Sequence, residues 1–481
     1  MGIFPDDDDE NEDIDDKFAD SVLDKATSGR SEYVDVDDVI DAYNWLILHE
    51  RYEDADTVLD YGQSLHVGDC RLLLLRATAL IDKSELGAAA HLLDYISGEA
   101  GDEPRYYVCR GWLAIRNGND KAATEFFDAA INCSERDNWE VIVNEIGSNL
   151  VQFEKFDMAV KYYSMISSEA WERNPQPAFE FAYALGQVGQ DDKAVTLYEQ
   201  IVKIEPFNDN AWYNLGILYG KRGEAGKSVD AYVTCTDISP DYAEAYFNLG
   251  NTYMGLGKYI DAVDCYTDYL SYAASPFENS VYAYLGDCWG QMGNYELAGK
   301  LLAHAVKLMP DLDSAWYNLG RCYLEQSLNS EAVSALKNAI ERNSSAADYF
   351  FALAQAYFNM NKLEETVEAL ENGLRQSPED VLAWFEVVRL RFNFAESDMA
   401  GVCDFFKQKK EEFNSPKALQ LVEAYVEFFV FGKKRTATTL LRDVAKTTPQ
   451  VIKEASTEPD LSKLFEQKGI LKVLNEFNIK L

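Results

Sequence analysis

The chain is poor in the side chains that most often carry catalysis or hold metal ions. Its 481 residues include four histidines, all far apart, and eight scattered cysteines, no two of which have the CxxC spacing of a zinc or redox site. HExxH, GxSxG and Walker-type sequences are missing as well. These absences argue against an enzyme, a metal site or a bound cofactor. We expect the cysteines to be free thiols that fill gaps in a core.

Basic residues are also scarce, with 44 Lys and Arg against 82 Asp and Glu and a net charge of −38. A surface this negative repels phosphate backbones and anionic lipid, so we expect neither nucleic acid nor a membrane as a partner. The chain has no run of 18 uncharged apolar residues, and its start, MGIFPDDDDENEDIDD, lacks the basic and apolar stretches of a signal peptide. We therefore expect a cytoplasmic location.

The acidity is uneven along the chain. Residues 1–41 carry a net charge of −13, whereas residues 401–481 carry +3. Because the run DDDDENEDIDD has too much charge and too few apolar side chains to fold, we expect residues 1–35 to be largely disordered and to aid solubility. The alternative is an electrostatic contact, within or between molecules, with a basic cluster near the other end. This basic cluster consists of Lys407, Lys409, Lys410, Lys433, Lys434, Arg435 and Arg442.

The sequence repeats itself at an interval close to 34 residues. The clearest copies are AWYNLGILYGKRG from Ala211, AYFNLGNTYMGLG from Ala245, VYAYLGDCWGQMG from Val281 and AWYNLGRCYLEQS from Ala315. Their Leu–Gly pairs are 34, 36 and 34 residues apart. The pattern resembles the tetratricopeptide repeat, in which W-x2-L-G-x2-Y is followed by A-x3-F and a proline, and each repeat forms two antiparallel helices.

The resemblance implies an all-α fold, a right-handed superhelical solenoid of about twelve helix pairs, because one pair cannot bury its apolar face alone. Weaker copies extend the repeats over residues 36–451, with the clearest at 175–380. The glycine of each Leu–Gly pair would let two helices approach closely, and a glycine such as Gly257 would end the first helix in a left-handed turn.

The end of the chain, residues 452–481, looks like the capping helices of bacterial cytosolic scaffold proteins built from many such repeats. A cap of this kind covers the apolar face that the last repeat would otherwise expose. Six apolar residues are expected to face inward: Leu461, Leu464, Phe465, Leu471, Leu474 and Phe477.

Three asparagines, Asn214, Asn248 and Asn318, stand directly before a Leu–Gly pair. In superhelical members of the family, asparagines at this site line the concave groove and hold the backbone of an extended peptide. A carboxamide suits this role because it both donates and accepts hydrogen bonds. Tyr284 occupies the same site in the copy between, which interrupts the ladder.

Aromatic residues precede this site in four copies, at Tyr213, Phe247, Tyr317 and Phe351. They could form a stripe for apolar side chains of a partner, or they could only pack one helix against the next. Asn251 and Arg321, one turn further along, complete the candidate binding residues. Because Arg321 is nearly the only cation among these groove positions, a carboxylate clamp is not expected, and a neutral or basic partner segment is favoured.

These patterns predict an interaction scaffold or adaptor that binds protein or peptide partners and is not an enzyme. The segments outside the repeats, about 35 and about 30 residues long, are too short for a catalytic domain. Two alternatives stay open. One is a self-associating homo-oligomer with contacts between the acidic start and the basic end, and the other is a regulatory subunit of an enzyme or chaperone complex.

Overall fold

A computed structural model describes residues 7–28, 32–98, 100, 103–135, 138–167, 171, 175–273, 278–392 and 399–481. Across these residues every regular element is a helix and no strand occurs. The chain divides into two units, Met1–Arg222 and Gly223–Leu481, called here the N-terminal unit and the C-terminal unit.

The N-terminal unit contains one leading helix, five helix pairs and the first helix of a sixth pair. In each pair the second helix packs antiparallel on the first, and successive pairs stack. The helices are α1 (Asp7–Thr27), α2 (Val36–Leu48), α3 (Tyr52–Leu65), α4 (Cys70–Asp82), α5 (Leu86–Ile96), α6 (Pro104–Arg116), α7 (Asp120–Cys133), α8 (Trp139–Gln152), α9 (Phe156–Tyr163), α10 (Pro175–Gln187), α11 (Asp191–Ile204) and α12 (Asp209–Lys221).

The C-terminal unit continues the same alternation and adds three short helices at its end. Its helices are α13 (Ala225–Ile238), α14 (Ala243–Gly255), α15 (Tyr259–Tyr272), α16 (Glu278–Gln291), α17 (Tyr295–Leu308), α18 (Asp313–Glu325), α19 (Asn329–Arg342), α20 (Ala347–Asn359), α21 (Leu363–Gln376), α22 (Val381–Arg391), α23 (Met399–Glu412), α24 (Lys417–Phe429), α25 (Lys434–Thr447), α26 (Pro449–Ala455), α27 (Pro459–Phe465) and α28 (Lys468–Glu476). Within each unit the described helices alternate as first and second members of helix pairs, which confirms the predicted all-α repeat architecture.

The close approach within a pair depends on the small residue of the Leu–Gly site. A Cβ atom built on Gly250 would lie 2.7 Å from a ring carbon of Tyr266, and one on Gly320 would lie 2.6 Å from Cγ of Leu336. Both partners come from the second helix of the same pair and are fully buried. A larger residue at either glycine would force the two helices apart, so the glycine and its bulky partner act together.

The turns inside pairs that the structure describes contain a residue with positive φ, as the sequence predicted for Gly257. Gly257 has φ of 71°, and Ser327 takes the same conformation with φ of 60° at the corresponding turn between α18 and α19. Backbone hydrogen bonds from Gly257 to Met254 (3.0 Å) and from Lys258 to Tyr253 (2.9 Å) close the end of α14. This left-handed cap reverses the chain within a few residues and brings α15 back along α14.

One recurring contact was not foreseen from the sequence. The indole Nε1 of Trp212, Trp316 and Trp384 donates in each case to the carbonyl oxygen of the proline six residues earlier, at 2.8–2.9 Å. That proline follows the second helix of the preceding pair. The hydrogen bond therefore ties the chain between two pairs to the helix that comes next, and it occurs in both units.

The N-terminal segment differs from the prediction that residues 1–35 are largely disordered. Residues Asp7–Thr27 form helix α1, while residues 1–6 and 29–31 lie outside the described part of the chain. Ala19 and Val22 are buried against α2 and α3. The apolar spacing of Phe18, Ala19, Val22 and Leu23 gives the second half of α1 a face to bury, and the charge run ahead of it hid this pattern.

The last three helices pack on α22, α24 and α25. Four of the six residues expected to face inward are buried, namely Leu461, Leu464, Phe465 and Leu474, and Phe477 is partly buried. The prediction for Leu471 was wrong, because this residue is 44% exposed while Ile470 and Val473 are buried. Helix α28 begins at Lys468, and this start rotates its buried face by one residue from the expected phase.

Candidate functional site

In the C-terminal unit, two neighbouring cavities form a groove on the first helices of successive pairs. One cavity, of about 240 Å³, lies between α18 and α20, and the other, of about 470 Å³, lies between α20, α22 and the turn at Thr457–Pro459. Phe351 lines both cavities. We call this surface the C-terminal groove. It is lined by Tyr317, Arg321, Leu324, Glu325, Asp348, Phe351, Ala352, Gln355, Leu370, Asp380, Leu382, Ala383, Phe385, Glu386, Arg389, Thr457, Glu458 and Pro459.

Three of the predicted binding residues, Tyr317, Arg321 and Phe351, meet in this groove. The guanidinium carbon of Arg321 lies 5.9 Å from the ring centroid of Tyr317, and the ring of Tyr317 stacks on Tyr349 at 4.7 Å. Phe351 also packs against the backbone at Gly373, where an added Cβ would come within 2.4 Å of its ring. Tyr317 and Phe351 thus have a packing role in addition to any role in binding, whereas Arg321 is exposed.

Phe247 belongs to an aromatic cluster between consecutive pairs. Its ring centroid lies 5.4 Å from Tyr269 and 5.5 Å from Tyr284, and Tyr284 stacks on Tyr266 at 5.6 Å. The tyrosine that interrupts the asparagine ladder therefore fills space between helices. This arrangement favours the packing interpretation of Phe247.

The asparagines of the predicted ladder have unequal surroundings. The Asn214 amide donates to the carbonyl oxygen of Asn210 at 2.9 Å, on its own helix α12 in the N-terminal unit. Asn318 makes no hydrogen bond within the described part of the chain. Tyr213 and Asn248 are partly buried on α12 and α14. The peptide-binding role of these residues stays a prediction.

Asn251 has a partner inside the fold. Its Oδ1 accepts a hydrogen bond of 2.8 Å from the hydroxyl of Tyr266, a residue with no exposed surface. A buried hydroxyl without a partner is costly, so Asn251 stabilises the packing of α14 on α15.

The N-terminal unit holds a cavity of about 1070 Å³ that lies mainly on the first helices α2, α4, α6 and α8. We call it the N-terminal groove. The lining residues are Ile40, Tyr43, Asn44, Ile47, Tyr52, Asp56, Arg71, Leu74, Leu75, Thr78, Ala79, Asp82, Lys83, Glu103, Pro104, Arg105, Cys109, Cys133, Glu135, Asn138, Val141, Ile142 and Glu145. Sequence reasoning missed this groove because it concentrated on the clearest repeats.

The signal that could have found it is the register of the repeats. In each copy the ladder site is the second residue before the Gly or Ala that packs against the second helix. In the N-terminal unit this rule selects Ile40, Leu75, Cys109 and Glu145, spaced by 35, 34 and 36 residues, and all four line the N-terminal groove. The site that carries asparagine in the clear copies is thus apolar or acidic here.

Burial raises the pKa of several groups in the N-terminal groove. Desolvation raises the pKa of the Asp82 and Glu145 carboxyls, and the charges of Arg116 and Arg105, respectively, offset only part of that rise. Burial also raises the pKa of the Cys109 thiol to about 12, although its hydrogen bond with Thr78 Oγ1, at 3.4 Å, acts to lower that pKa. Arg105 Nε lies 3.9 Å from Glu145 Oε2. The two carboxylates therefore lack a close and complete counter-charge.

The basic cluster near the end of the chain is largely engaged within the C-terminal unit. Lys409 is buried and donates to Glu371 Oε2 at 2.8 Å and to Glu412 Oε2 at 2.9 Å, and Arg391 donates to the other oxygen of Glu371 at 2.8 Å. The remaining pairs of the cluster are Lys410 with Glu423, Lys433 with Glu427 and Arg442 with Glu476. Four of the seven cations therefore already face a carboxylate.

Family models described as tetratricopeptide repeat or TPR repeat match residues 197–230, 221–257, 243–274, 290–348 and 317–381. The chain is a tetratricopeptide repeat protein. The matches fall on helices α11 to α22, where the sequence follows the repeat pattern most closely. Such repeats are protein-interaction modules, and in this general sense the chain is a protein–protein interaction scaffold.

Several solved structures resemble parts of the chain. One is YrrB, titled a TPR protein with an unusual peptide-binding site, with 21% identity, a TM-score of 0.35, and coverage of 39% of this chain and 95% of that one. MamA from Desulfovibrio magneticus RS-1 has 17% identity, a TM-score of 0.34 and coverage of 36% and 96%. The C-terminal part of a TPR repeat-containing protein from Cytophaga hutchinsonii has 15% identity, a TM-score of 0.43 and coverage of 51% and 99%. No protein with a curated description matches the chain.

Among the described residues, no three His, Cys, Asp or Glu side chains come together in a way that could hold a metal ion. None of the helices that the structure describes is long and apolar enough to cross a bilayer. Five of the eight cysteines, Cys109, Cys235, Cys265, Cys288 and Cys322, are buried as free thiols.

Proposed function

We propose that this tetratricopeptide repeat protein is a non-enzymatic scaffold that holds an extended segment of a partner protein along the faces of its first helices. The observation that carries this proposal is the placement of the cavities. In each unit, considered by itself, a groove lies mainly on first helices: α2, α4, α6 and α8 in one, and α18, α20 and α22 in the other. Grooves that combine an apolar floor with a few polar side chains are typical of binding sites.

The C-terminal groove offers both apolar anchors and charge. Leu382 is 43% exposed within it, and the aromatic faces of Tyr317 and Phe351 lie beside Arg321. The groove ends at the turn Thr457–Pro459, which lines the same cavity as α22. A partner segment along α18, α20 and α22 would therefore bury aliphatic or aromatic side chains and end at the cap.

Asn318 supports an additional role for the predicted ladder. Its carboxamide makes no hydrogen bond to other described residues, so it is available to pair with a peptide group of the partner. Asn214, which already bonds to its own helix, would have to exchange that contact for a new one.

The head-to-tail self-association hypothesis has less support. The basic cluster would have to attract the acidic start of the chain, but Lys409, Lys410, Lys433 and Arg442 already pair with carboxylates of the C-terminal unit. Deletion of residues 1–16 followed by light scattering at low and high salt tests this directly, and an unchanged mass in both conditions would rule it out. A regulatory subunit of a larger complex is compatible with the scaffold proposal, since the captured partner would identify that complex.

Affinity purification from the native host with two matched variants tests the proposal. Arg321→Glu combined with Leu382→Glu changes one cation and one exposed leucine in the C-terminal groove. Lys307→Glu combined with Leu363→Glu makes the same two changes on the second helices α17 and α21, where both residues are exposed.

We expect a stoichiometric partner that the groove variant loses and the control variant retains. Equal recovery by both variants would contradict partner binding in the C-terminal groove. A substrate-dependent turnover by the purified chain would contradict the non-enzymatic scaffold altogether.

A further inference from the structure

We infer that the N-terminal groove is a docking surface for a segment of a partner protein that is rich in lysine and arginine. This inference rests on the scaffold function proposed above and adds to it a second site with a defined ligand chemistry. The occupant follows from three features of the groove: its shape, its balance of charge, and the state of its carboxylates.

The floor of the groove is apolar and the carboxylates stand around it. Leu74, Ala79 and Ile142 are buried at its base, and the phenol of Tyr43 and the thiol of Cys109 lie among them. The volume of about 1070 Å³ lies at the upper end of the range typical of small-molecule pockets, and the lining spans four consecutive helix pairs. This extent fits several residues of an extended chain better than a compact metabolite.

The charges of the lining are unbalanced. Five acids face the groove, which are Asp56, Asp82, Glu103, Glu135 and Glu145, against the three cations Arg71, Lys83 and Arg105.

All three of these cations have acidic partners within the protein, and the longest of these pairs is Arg105 with Glu145 at 3.9 Å. Arg71 pairs with Asp37 at 2.6 Å and with Asp69 at 3.5 Å, and Lys83 pairs with Asp56. Asp82, Glu103 and Glu135 make no ion pair within the described residues. The groove therefore presents negative charge to an incoming segment.

The positions of Asp82 and Glu145 make a cation favourable beside them. Asp82 is the last residue of α4, where the helix dipole opposes a negative charge, and Glu145 has only Arg105 at 3.9 Å. Asp82 is exposed and the Glu145 side chain is 34% exposed, so both carboxylates are accessible to a partner. Partial desolvation raises the pKa of both carboxyls. An ammonium or guanidinium group beside either carboxylate would supply an opposite charge, and the aliphatic stem of a Lys or Arg suits the apolar floor.

Labelled peptides of one design provide the probe. A leucine- and lysine-containing peptide is compared with versions in which every lysine is replaced by glutamine or by glutamate, and binding to the full chain is followed by fluorescence anisotropy. We expect saturable binding of the lysine peptide, at least tenfold weaker binding of the glutamine version, and no binding of the glutamate version.

Matched variants separate a groove site from bulk attraction to an acidic protein. Asp82→Asn with Glu145→Gln removes two charges from the groove. Asp157→Asn with Glu125→Gln removes the same two charges from the exposed surface of α9 and α7. We expect the groove variant to bind the lysine peptide at least tenfold more weakly, and the control variant to bind it within twofold of the unmodified chain.

Several results would overturn the inference. Equal weakening in both variants would assign the binding to net charge, and equal affinity for the lysine and glutamine peptides would assign the groove to apolar segments of any charge. Absence of saturable lysine-peptide binding would also overturn it. If the chain dimerises and only the groove variant is monomeric by light scattering, the occupant is a second copy and not a basic partner segment. The scaffold function has its own test at the C-terminal groove, so the two can fail independently.

Discussion

The two units differ in the side chains that the first helix of each repeat carries on its groove side. In the C-terminal unit the first helices carry aromatic residues that close the space between pairs, such as Phe247 with Tyr284 and Tyr317 with Tyr349. In the N-terminal unit the ladder sites carry Ile40, Leu75, Cys109 and Glu145, and a cavity of about 1070 Å³ stays open beside them. The unit with clearer repeats has smaller cavities, of about 240 and 470 Å³.

The charges differ in the same sense. In the C-terminal unit the buried Lys409 and its carboxylate partners satisfy one another, whereas Asp82 and Glu145 of the N-terminal unit have raised pKa values because burial is not matched by a close counter-charge. From this difference we infer that groove residues close to the repeat consensus mainly pack helices together. Groove residues that depart from the consensus leave a surface open for a partner. Four measurements test this contrast.

The largest expected effect is loss of a buried aromatic side chain from either unit. Trp384→Ala removes a fully buried indole that donates to Pro378 and contacts Phe413, and Phe127→Ala removes the ring that fills the space at Gly111. Each should lower the free energy of unfolding by about 3–5 kcal/mol. Urea unfolding gives the loss, and hydrogen exchange should locate it in the helices around the removed ring. A marked difference between the two variants would mean that the repeats are not packed alike in the two units.

A smaller effect is expected for the buried cation of the C-terminal unit. Lys409→Ala leaves Glu371 with Arg391 alone and should cost about 3 kcal/mol, while Lys407→Ala, exposed on the same helix, should cost almost nothing. The hydrogen bond from Lys409 holds the pKa of Glu412 below its usual value. That stabilisation is present at neutral pH and is lost as the pH falls through this lowered pKa, so the two variants should converge on acidification. Equal stability at neutral pH would contradict an internally paired basic cluster.

Two asparagines on first helices, Asn251 of α14 and Asn318 of α18, should differ in their contribution to the free energy of unfolding. Asn251→Ala removes the acceptor of the buried Tyr266 hydroxyl and should cost about 1–3 kcal/mol, whereas Asn318→Ala should change the free energy of unfolding by less than about 0.5 kcal/mol. Thermal unfolding of the two variants makes the comparison. Should both be neutral, Tyr266 must have found another partner, and Asn251 would again be a candidate for binding.

The smallest expected effect is a slight gain in stability, in contrast to the losses predicted above. Because the pKa values of Asp82 and Glu145 are raised in the folded chain, the ionised carboxyls oppose folding, and protonation relieves this as the pH falls toward their unfolded values. Asp82→Asn with Glu145→Gln should therefore melt slightly above the unmodified chain at neutral pH, with a difference that shrinks in acid. Melting curves over a range of pH provide the check. A variant that is less stable at neutral pH would show that these carboxylates support the fold and are not held ready for a ligand.

Much of the fold was readable from the sequence because repeat packing depends on local, recurring choices. Gly250 beside Tyr266 and the left-handed turn at Gly257 follow from the spacing of small, aromatic and glycine residues alone. The prediction of helix pairs was accurate for the same reason. The predicted burial of Leu471 was wrong because a shift of one residue decides which side of a short helix is buried. The helix over residues 17–27 was missed because neighbouring charges concealed its apolar face.

The candidate sites were only partly predictable. The register of the repeats placed Tyr317, Arg321 and Phe351 on the groove face, but it could not show that Asn251 serves Tyr266 or that most of the basic cluster is already paired. Several of those contacts join residues far apart in the chain, 15 positions for Asn251 with Tyr266 and 38 for Lys409 with Glu371, which only folding brings together.

The sequence by itself determined the repeating helix pair, because each pair is built from contacts between residues close in the chain. The tertiary structure decided which grooves stay open and which charges stay unpaired. An empty volume and a missing counter-ion are properties of several stacked pairs at once, and no single repeat contains them.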